Sequence, residues 1–337
     1  MHVLVKQKPN YGYVVIILLL FFNIQNCLAQ KSSIKLGSPT TLTVLKKNYA
    51  YSCFNADSKR LAWFEYYTST VFVYDVKRKS IQKIHLKKGR GPGEYIAVTD
   101  LGINGKFVYL SDPKNNKIIA VSINTGKKRD IPLRKDKIFR FIFEKGELFL
   151  LENIRPKVLI SHYNLKTQES YPLNKDKFNI LKEFSNPFYR DGYLLSKKGK
   201  VLFITKYLPN IYIYDIHQKG FERKVRFDQS QIEEAPAQKL SNGAKAIYPP
   251  TKVDIATEDA IHLFQKPNSV FLLSKGATDN RSYNLDKLYE FDLKREKFVN
   301  TYDLGTKVDE ITSNKNYVFA YSKQKSKIFR YKIITTE

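Results

Sequence analysis

The sequence predicts an all-β fold, a six-bladed β-propeller of four-stranded antiparallel blades whose ring is closed by the N-terminal strand. Two observations predict it. A strand ending made of an aromatic residue, Asp or Asn, and an aliphatic residue recurs at the spacing of propeller blades. The last copy is followed by too few residues for a fourth strand, which must then come from the beginning of the chain.

The strand ending is clearest in four copies, which are Val71–Val76, Val158–Leu165, Ile211–Ile216 and Lys287–Leu293. Two weaker copies, Ile118–Ile123 and Ile328–Ile333, complete the set. In these the Asp or Asn position is occupied by Ser122 and Lys332. Asp and Asn side chains bond to backbone N–H groups just after them, so this position is expected to open the turn into the next strand.

Six marker residues define the period of the repeat. Successive markers lie 47, 42, 51, 77 and 40 residues apart, in the order Asp75, Ser122, Asn164, Asp215, Asp292 and Lys332. Intervals of this size match one propeller blade each. The interval of 77 residues predicts an insertion over about 228–250, a polar stretch with Pro236, Pro249 and Pro250. A short helix near 232–240 is one expectation within it.

The second repeat shows how one unit divides into strands. Asn104-Gly105 is a strong signal for a tight hairpin between two strands. The predicted strands are Ile96–Ile103, Phe107–Ser111, Lys117–Ile123 and Arg129–Leu133. Four antiparallel strands per unit follow, with apolar residues on both faces, as suits sheets packed between neighbouring blades.

The last repeat lacks an outer strand, because four residues follow Ile333. The segment Ile34–Leu45, rich in Thr, Val and Leu, precedes the first repeat and is expected to supply that strand. Such closure removes an exposed sheet edge, which would otherwise favour aggregation.

Residues 1–29 resemble a secretory signal peptide, with Lys6 and Lys8 ahead of the apolar run Tyr13–Phe22. Cleavage after Ala29 would leave residues 30–337 as a single propeller domain. The apolar run is shorter than the roughly 20 residues of a membrane-spanning helix. Two alternatives would tether the chain to a membrane, an uncleaved signal or lipidation at Cys27, although Asn26 stands where a lipoprotein signal has a small residue.

The composition is strongly basic, with 58 Lys+Arg against 32 Asp+Glu and a formal net charge of +26. Such a balance favours anionic partners, which in a cell envelope are acidic polysaccharides, lipopolysaccharide or phospholipid head groups. No dense basic cluster is interleaved with stacking aromatic residues, so nucleic acid is not an expected partner. Without Cys27, Cys53 is a lone thiol, so no intramolecular disulfide is expected.

A glycine-rich motif lies between the first two repeats. It reads GRGPGEY and consists of Gly89, Arg90, Gly91, Pro92, Gly93, Glu94 and Tyr95. Its glycines and proline favour a tight connection between blades, and Arg90 and Glu94 are placed to pair across it. A phosphate cradle is the alternative, but such a cradle needs a following helix, whereas a strand is predicted here. The motif is therefore assigned a structural role.

With this motif and the repeat, residues 34–337 resemble the exported six-bladed propellers described as TolB-like or NHL-like, found in Gram-negative envelopes. The resemblance rests on repeat spacing apart from the heptapeptide. It implies a six-bladed fold and an exported location, in the periplasm or at the cell surface. It does not define a molecular activity.

Few residues indicate catalysis or metal binding. His85, His162, His217 and His262 have no second His or Cys at a ligand-like spacing, so no metal or other cofactor is expected. Carboxylates near the inner strands would meet at the central channel only if separate blades bring them together; these are Asp100, Asp191, Asp254, Asp259 and Asp309. Motifs of serine hydrolases, zinc proteases and phosphate loops are absent from the sequence.

The leading hypothesis is therefore a non-enzymatic binding or scaffold protein of the cell envelope, with a protein or an anionic glycan as partner. The alternative is an enzyme at the channel mouth, a metal-assisted lyase or hydrolase acting on polysaccharide. That alternative requires His, Asp or Glu side chains from different blades to converge.

Overall fold

The computed structural model describes most of the chain after the predicted signal peptide. The described residues are 33–44, 51–133, 138–144, 146–152, 160–173, 189, 191–197, 199–218, 220–228, 237–239, 241, 245–247, 255–278 and 281–336. The predicted signal, its cleavage position and Cys27 lie outside them, as does Asp254. The regular elements in these ranges are all β-strands, and none of their segments is a helix that could cross a membrane.

The chain divides into two compact units, one of Met1–Lys35 with Ile334–Glu337 and one of Leu36–Ile333. The first unit contributes its described residues to the ends of two paired strands, β1 (Ser33–Leu36) and the last strand of the chain. The second unit contains β2 (Thr40–Val44) and the six blades, apart from the last residues of the final strand.

The first three blades are four-stranded antiparallel sheets, each built from consecutive strands. Blade 1 consists of β3 (Tyr51–Ala56), β4 (Arg60–Glu65), β5 (Thr70–Asp75) and β6 (Ser80–His85). The short strands β7 (Lys87–Lys88) and β8 (Glu94–Tyr95) follow. Blade 2 consists of β9 (Asp100–Asn104), β10 (Phe107–Asp112), β11 (Lys117–Ser122) and β12 (Lys128–Pro132). Blade 3 consists of β13 (Ile138–Glu144), β14 (Glu147–Glu152), β15 (Ile160–Asn164) and β16 (Glu169–Pro172).

The last three blades follow the same plan with additions. Blade 4 consists of β17 (Gly192–Lys197), β18 (Lys200–Thr205), β19 (Asn210–Asp215) and β20 (Gly220–Arg226). The hairpin of β21 (Ala237–Lys239) and β22 (Lys245–Ile247) comes next. Blade 5 consists of β23 (Ile255–Ile261), β24 (Ser269–Thr278), β26 (Lys287–Asp292) and β27 (Lys297–Asp303), with β25 (Arg281–Tyr283) paired to β24. Blade 6 consists of β28 (Glu310–Ser313), β29 (Tyr317–Ser322) and β30 (Lys327–Thr336), completed by β2.

The ring closure predicted from the sequence is confirmed by the pairing of β2 with β30. Thr40 lies opposite Arg330 and Val44 opposite Lys327 in an antiparallel register. Thr40 Oγ1 also donates to the carbonyl of Arg330 at 3.2 Å. Blade 6 is therefore built from both ends of the second unit, and the six-bladed count is confirmed. Lys332 lies within β30 opposite Tyr317, so the sixth copy of the strand ending opens no turn.

The Asp and Asn markers do open turns, as predicted. Asp75 Oδ1 accepts the N–H groups of Lys77 and Arg78 at 2.9 and 2.7 Å. The same pair of bonds recurs at Asn164, Asp215 and Asp292. These N–H donors stabilise the carboxylate, and the backbone bond from Arg78 is the main cause of the lowered pKa of Asp75.

In four of the turns that the structure describes, the fourth residue after the marker takes a left-handed backbone conformation. It has a φ of 55° at Lys79, 57° at Gln168 and 53° at Glu296, whereas blade 2 has Gly126 at this position with a φ of 67°. Side chains with a Cβ pay a steric cost in this region that glycine avoids.

Replacing Lys79 with glycine is therefore expected to stabilise the protein by up to about 1 kcal/mol, since relief of strain outweighs the entropy that glycine adds to the unfolded chain. Equilibrium denaturation in urea measures the change. Gly126→Ala is the matched control and should destabilise by a similar amount. Destabilisation by Lys79→Gly would contradict the assignment of strain to this turn.

Two local expectations differ from the structure. The strand predicted from Ile96 begins only at Asp100, because the N–H groups of Ile96 and Ala97 bond to the Asp112 carboxylate instead of a strand, at 2.9 and 3.2 Å. In the insertion, the prediction of a helix near 232–240 is wrong for the residues of that segment that the structure describes. Residues 237–239 form strand β21, whose backbone bonds are met by β22, and the rest of that segment lies outside the described residues.

The core lies between blades rather than in one centre. Phe64 in blade 1 packs edge-on against Tyr95, with 5.2 Å between the ring centres, within a cluster that joins blades 1 and 2. Phe149 of blade 3 and Phe203 of blade 4 belong to another such cluster. Middle strands are consequently buried on both faces, and in β18 only the first residue is partly exposed.

The GRGPGEY motif forms a folded connection between blades 1 and 2. Strands β7 and β8 pair in parallel across it, and Gly89 N–H donates to Tyr95 O at 2.8 Å. Glu94 pairs with Lys87 at 2.8 Å and accepts the Gly91 N–H at 2.8 Å, so its ion-pair partner is Lys87 rather than the expected Arg90. Gly93 has a φ of 69°, and an added Cβ would lie 2.9 Å from Lys128 Cβ.

Blade 2 holds this connection from the other side. Lys117 Nζ, which is buried, donates to Gly91 O at 2.9 Å and pairs with Asp130 at 2.8 Å. Asp130 also accepts the Gly93 N–H at 3.0 Å. The motif is thus attached to blade 2 through a partly buried ion pair.

Candidate functional site: the central channel

The six innermost strands enclose a central cavity of 620 Å³, which we call the channel. Each blade contributes its first strand to the wall. The contributing segments include 55–56, 100–101, 140–142, 193–196, 258–261 and 310–313. Inner strands meet here because the blades are arranged radially, so side chains distant in sequence face one space.

Asp100 joins blade 2 to blade 3 at the channel wall. Its Oδ2 accepts the N–H of Phe141 at 2.8 Å, and its Oδ1 lies 3.7 Å from Arg140 Nη1. Burial raises the pKa of Asp100 to about 6, although the Arg140 charge and the backbone bonds oppose the rise.

Asp259 plays the same part between blades 5 and 6. Its two carboxylate oxygens accept the N–H groups of Ala260 and Ile311, at 2.8 and 2.7 Å. Burial raises the pKa of Asp259 to about 7, and the negative charge of Asp100 adds to the rise. The two buried carboxyls are therefore electrostatically linked across the channel wall.

Arg140, Tyr193 and Glu258 connect blades 3, 4 and 5. The Arg140 guanidinium lies 4.9 Å from the centre of the Tyr193 ring, and the Tyr193 hydroxyl donates to the carbonyl of Glu258. Burial raises the pKa of Tyr193 well above its ordinary value, so this hydroxyl stays protonated. The Glu258 carboxylate pairs with Lys206 at 3.6 Å and with Lys275.

The two remaining junctions are bridged by uncharged side chains. Asn55 Oδ1 accepts the Ile103 N–H at 3.4 Å between blades 1 and 2. Thr312 Oγ1 accepts the Ala56 N–H at 3.1 Å between blades 6 and 1. A side chain thus bridges neighbouring inner strands at every junction around the channel, and the polar groups that carry these bridges have a role in holding the blades together.

The structure places the predicted carboxylates in different positions. Asp100, Asp259 and Asp309 line the channel. Asp309 Oδ2 accepts the Lys323 N–H at 2.6 Å. Asp191 precedes β17 and its side chain accepts the Gly192 N–H at 2.9 Å. Each of these four carboxylates accepts a backbone N–H, the role expected of a turn or strand-end residue.

The histidines lie in separate parts of the fold. His262 lines the channel, His217 lies in the turn after Asp215, and His85 ends β6. His162 stacks on Phe149 at 5.1 Å, with its Nε2 3.4 Å from Glu147 Oε2. Within the described ranges, no three His, Cys, Asp or Glu side chains are grouped so as to hold a metal ion.

Arg140, Tyr193 and Glu258 were not predicted as channel residues. Arg140 did leave a signal in the sequence, because it is the single cation within the apolar strand Ile138–Glu144. A lone charge in an apolar strand requires a partner or water. Tyr193 and Glu258 have no such signal, since Tyr and Glu are common at strand positions across the chain.

The channel differs in charge from the rest of the chain. Among the residues that the structure describes, its wall carries five carboxylates against the two cations Arg140 and Lys206; these carboxylates belong to Asp100, Glu258, Asp259, Asp309 and Glu310. The whole chain has a formal net charge of +26. The surplus of basic residues therefore lies outside the channel wall.

Comparisons with solved structures show the same fold at low identity. A protein of unknown function from Bacteroides thetaiotaomicron VPI-5482 aligns with a TM-score of 0.54 and 10% identity, over 90% of this chain and 77% of that one. A protein from Bacteroides fragilis NCTC 9343, named as a predicted exported protein, aligns with a TM-score of 0.53 and 12% identity. The alignment covers 91% of this chain and 95% of that one.

A third similar structure is the β-propeller domain of Cps50 (Swd1) from Myceliophteria thermophila, with a TM-score of 0.52 and 11% identity, over 88% of this chain and 100% of that domain. No curated protein matches the sequence. A family model does match, over residues 52–270, and that family is DUF5128, described as a 6-bladed beta-propeller. The match spans most of the blades traced above, and the chain belongs to this family of six-bladed propellers.

Proposed function

We propose that this propeller is a non-enzymatic binding protein of the cell envelope and that its partner is an anionic glycan. The observation that carries the proposal is the separation of charge. A chain of net charge +26 has an acidic channel wall, so its basic residues are available on other surfaces to an anionic partner.

The engagement of the channel carboxylates supports a binding role over catalysis. Asp100 and Asp259 each bond to the inner strand of the next blade, as do other polar groups around the ring. A catalytic acid or base needs to reach a substrate proton, and these groups are engaged with backbone donors. The alternative is the metal-assisted lyase or hydrolase at the channel mouth.

Export is part of the same proposal. Residues 1–29 have the pattern of a secretory signal, and one similar structure is named for export. We place the mature protein at residues 30–337, in the periplasm or at the cell surface of a Gram-negative bacterium. The TolB-like or NHL-like subtype, with GRGPGEY as a structural motif, also belongs to this proposal.

Mass spectrometry of the protein recovered from the envelope of an expressing Gram-negative cell tests the export step. The expected mature chain begins at Gln30. Recovery of the intact signal, of a lipid on Cys27, or of the protein in the cytoplasm alone would overturn cleavage after Ala29.

Affinity electrophoresis through gels that contain polysaccharide tests the binding step. We expect retardation by polygalacturonate and heparin but not by neutral dextran. The retardation should weaken as salt rises, since the Debye length falls from about 30 Å at 0.01 M to about 3 Å at 1 M. Equal mobility in all three gels would overturn the anionic-glycan proposal and leave a protein partner to be sought.

A turnover assay on the same polysaccharides tests the alternative function. We expect no new reducing ends and no unsaturated products with the purified protein. Product formation that Asp259→Asn or Glu258→Gln abolishes, without a loss of folding, would establish the enzyme and overturn the binding-only proposal.

A further inference from the structure

A second cavity of 640 Å³ lies where blades 1 and 2 adjoin, and we call it the groove. Blade 1 contributes the turn between β3 and β4 and the turn between β5 and β6. Blade 2 contributes its Asn104-Gly105 hairpin and Asn124. Among the described residues, none lines both the groove and the channel.

The groove has more positive than negative side chains. The cations are Lys59, Arg60, Arg78 and Lys106, against the carboxylates of Asp57 and Asp75. Asp57 is engaged with Arg60, which approaches its Oδ2 through Nε at 3.0 Å and Nη2 at 2.5 Å. Asp75 is engaged with the two backbone N–H groups of its turn.

Arg60 is held in a fixed position in the groove. Besides its bonds to Asp57, its Nη2 donates to the carbonyl of Gly105 in blade 2. Lys59, Arg78 and Lys106 are exposed. The Arg78 charge helps to lower the pKa of Asp75, but in the described part of the chain none of the three cations forms an ion pair with a carboxylate. The groove therefore presents an excess of positive charge, and three of its four cations are not held in ion pairs with its own carboxylates.

Uncharged polar side chains complete the groove. Gln82, Asn104 and Asn124 contribute amides, and Ser80 contributes a hydroxyl. The Gln82 side-chain N–H donates to the carbonyl of Ile123. This bond leaves the side-chain oxygen of Gln82 as an acceptor. Amides both donate and accept, so they suit the hydroxyl groups of sugars, while the cations suit carboxylate or sulfate groups.

From this combination we infer that the groove binds an acidic oligosaccharide, a sugar chain that bears carboxylate or sulfate groups. The inference rests on the proposed binding of an anionic glycan and assigns that binding to one place. The cations attract the acidic groups, and the amides and Ser80 bond to the neighbouring hydroxyls. Carboxylated and sulfated chains share this chemistry and are tested separately.

The repeat supplies a matched control for the test. Arg295 occupies in blade 5 the same turn position that Arg78 occupies in blade 1, with its N–H bonded to Asp292 as that of Arg78 is bonded to Asp75. Lys166 and Lys294 are likewise exposed in turns of other blades. Two triple variants therefore remove three positive charges each, Lys59→Ser/Arg78→Ser/Lys106→Ser from the groove and Lys166→Ser/Lys294→Ser/Arg295→Ser from elsewhere.

Isothermal titration calorimetry with the mature protein measures the effect. The probes are a galacturonic acid hexamer, a heparin-derived hexasaccharide and a neutral dextran hexamer. We expect at least one acidic probe to bind the wild type. The Kd of that probe should rise by about tenfold or more in the groove variant and by less than about twofold in the control. Each lost charge contact weakens binding by a modest factor, and the three factors multiply. The dextran hexamer should not bind.

Circular dichroism of both variants confirms folding, and Arg78→Glu provides a single-residue variant that should abolish most of the binding by charge reversal. An equal loss of affinity in the two triple variants would overturn the assignment of binding to the groove and would indicate a diffuse basic surface as the binding site. Unchanged binding in the groove variant would also overturn it. Failure of the wild type to bind either acidic probe would overturn the proposed function as well.

Discussion

Replacing Asp130 with alanine is expected to destabilise the protein by about 3 kcal/mol, because the ammonium group of Lys117 would lose its counter-ion. Lys117 has 7% of its side chain exposed, and its other bond is to the carbonyl of Gly91. Asp130 also accepts the Gly93 N–H, so the variant loosens the GRGPGEY connection at two points. Equilibrium unfolding in urea measures the change in the free energy of unfolding.

Two companion variants separate the ion pair from simple packing. Lys117→Met should lower the free energy of unfolding less than Asp130→Ala does. In that variant Asp130, whose side chain is 26% exposed, remains partly solvated and keeps the bond from Gly93. The double variant Lys117→Met/Asp130→Leu should regain much of the loss, as apolar replacements of buried ion pairs often do. An Asp130→Ala variant as stable as the wild type would contradict this view of how the motif is held.

Raising the pH from about 5 to about 8 is expected to cost the protein about 2–3 kcal/mol of stability through Asp259 alone. Its pKa rises from an ordinary 3.8 to about 7 in the folded protein, mainly by burial. Between these values the folded state binds more protons than the unfolded state, so stability falls as pH rises. Asp100, with a pKa of about 6, adds a smaller contribution of the same sign.

Comparison with Asp259→Asn isolates this effect from other titrations in the protein. The asparagine does not ionise, so the free energy of unfolding of the wild type relative to the variant should fall as pH rises from about 5 to about 7 and level off above that. Urea unfolding at intervals between about pH 5 and about pH 8 measures the difference at constant salt. A difference that is independent of pH would show that burial does not raise the pKa of Asp259.

Local chemistry explains which parts of the fold were predictable. The turn after Asp75 depends on bonds between residues two or three positions apart, so the sequence contains the whole interaction. The closing strand was predictable because a blade with three strands leaves an unpaired edge. The start of β9 was not, since it depends on Asp112, which lies 16 residues beyond Ile96.

The channel was only partly predictable for the same reason. Asp100 and Asp259 could be proposed from their places near inner strands, but their bonds to Phe141 and Ile311 span 41 and 52 residues. No local pattern encodes a contact with the next blade. The groove was missed because its cations come from turns that look like ordinary solvated turns, and only the adjacency of two blades brings Arg78 near Lys106.

The closure of blade 6 has a consequence for the order of folding. Thr40 and Arg330 are separated by 290 residues, so β2 leaves the ribosome long before its partner β30 exists. Joining points so far apart in an open coil costs about 5 kcal/mol of loop-closure entropy, which earlier assembly of the intervening sheets reduces. During synthesis β2 therefore stays unpaired with β30 until the last strand has been made, and the ring is completed only after translation has passed β30.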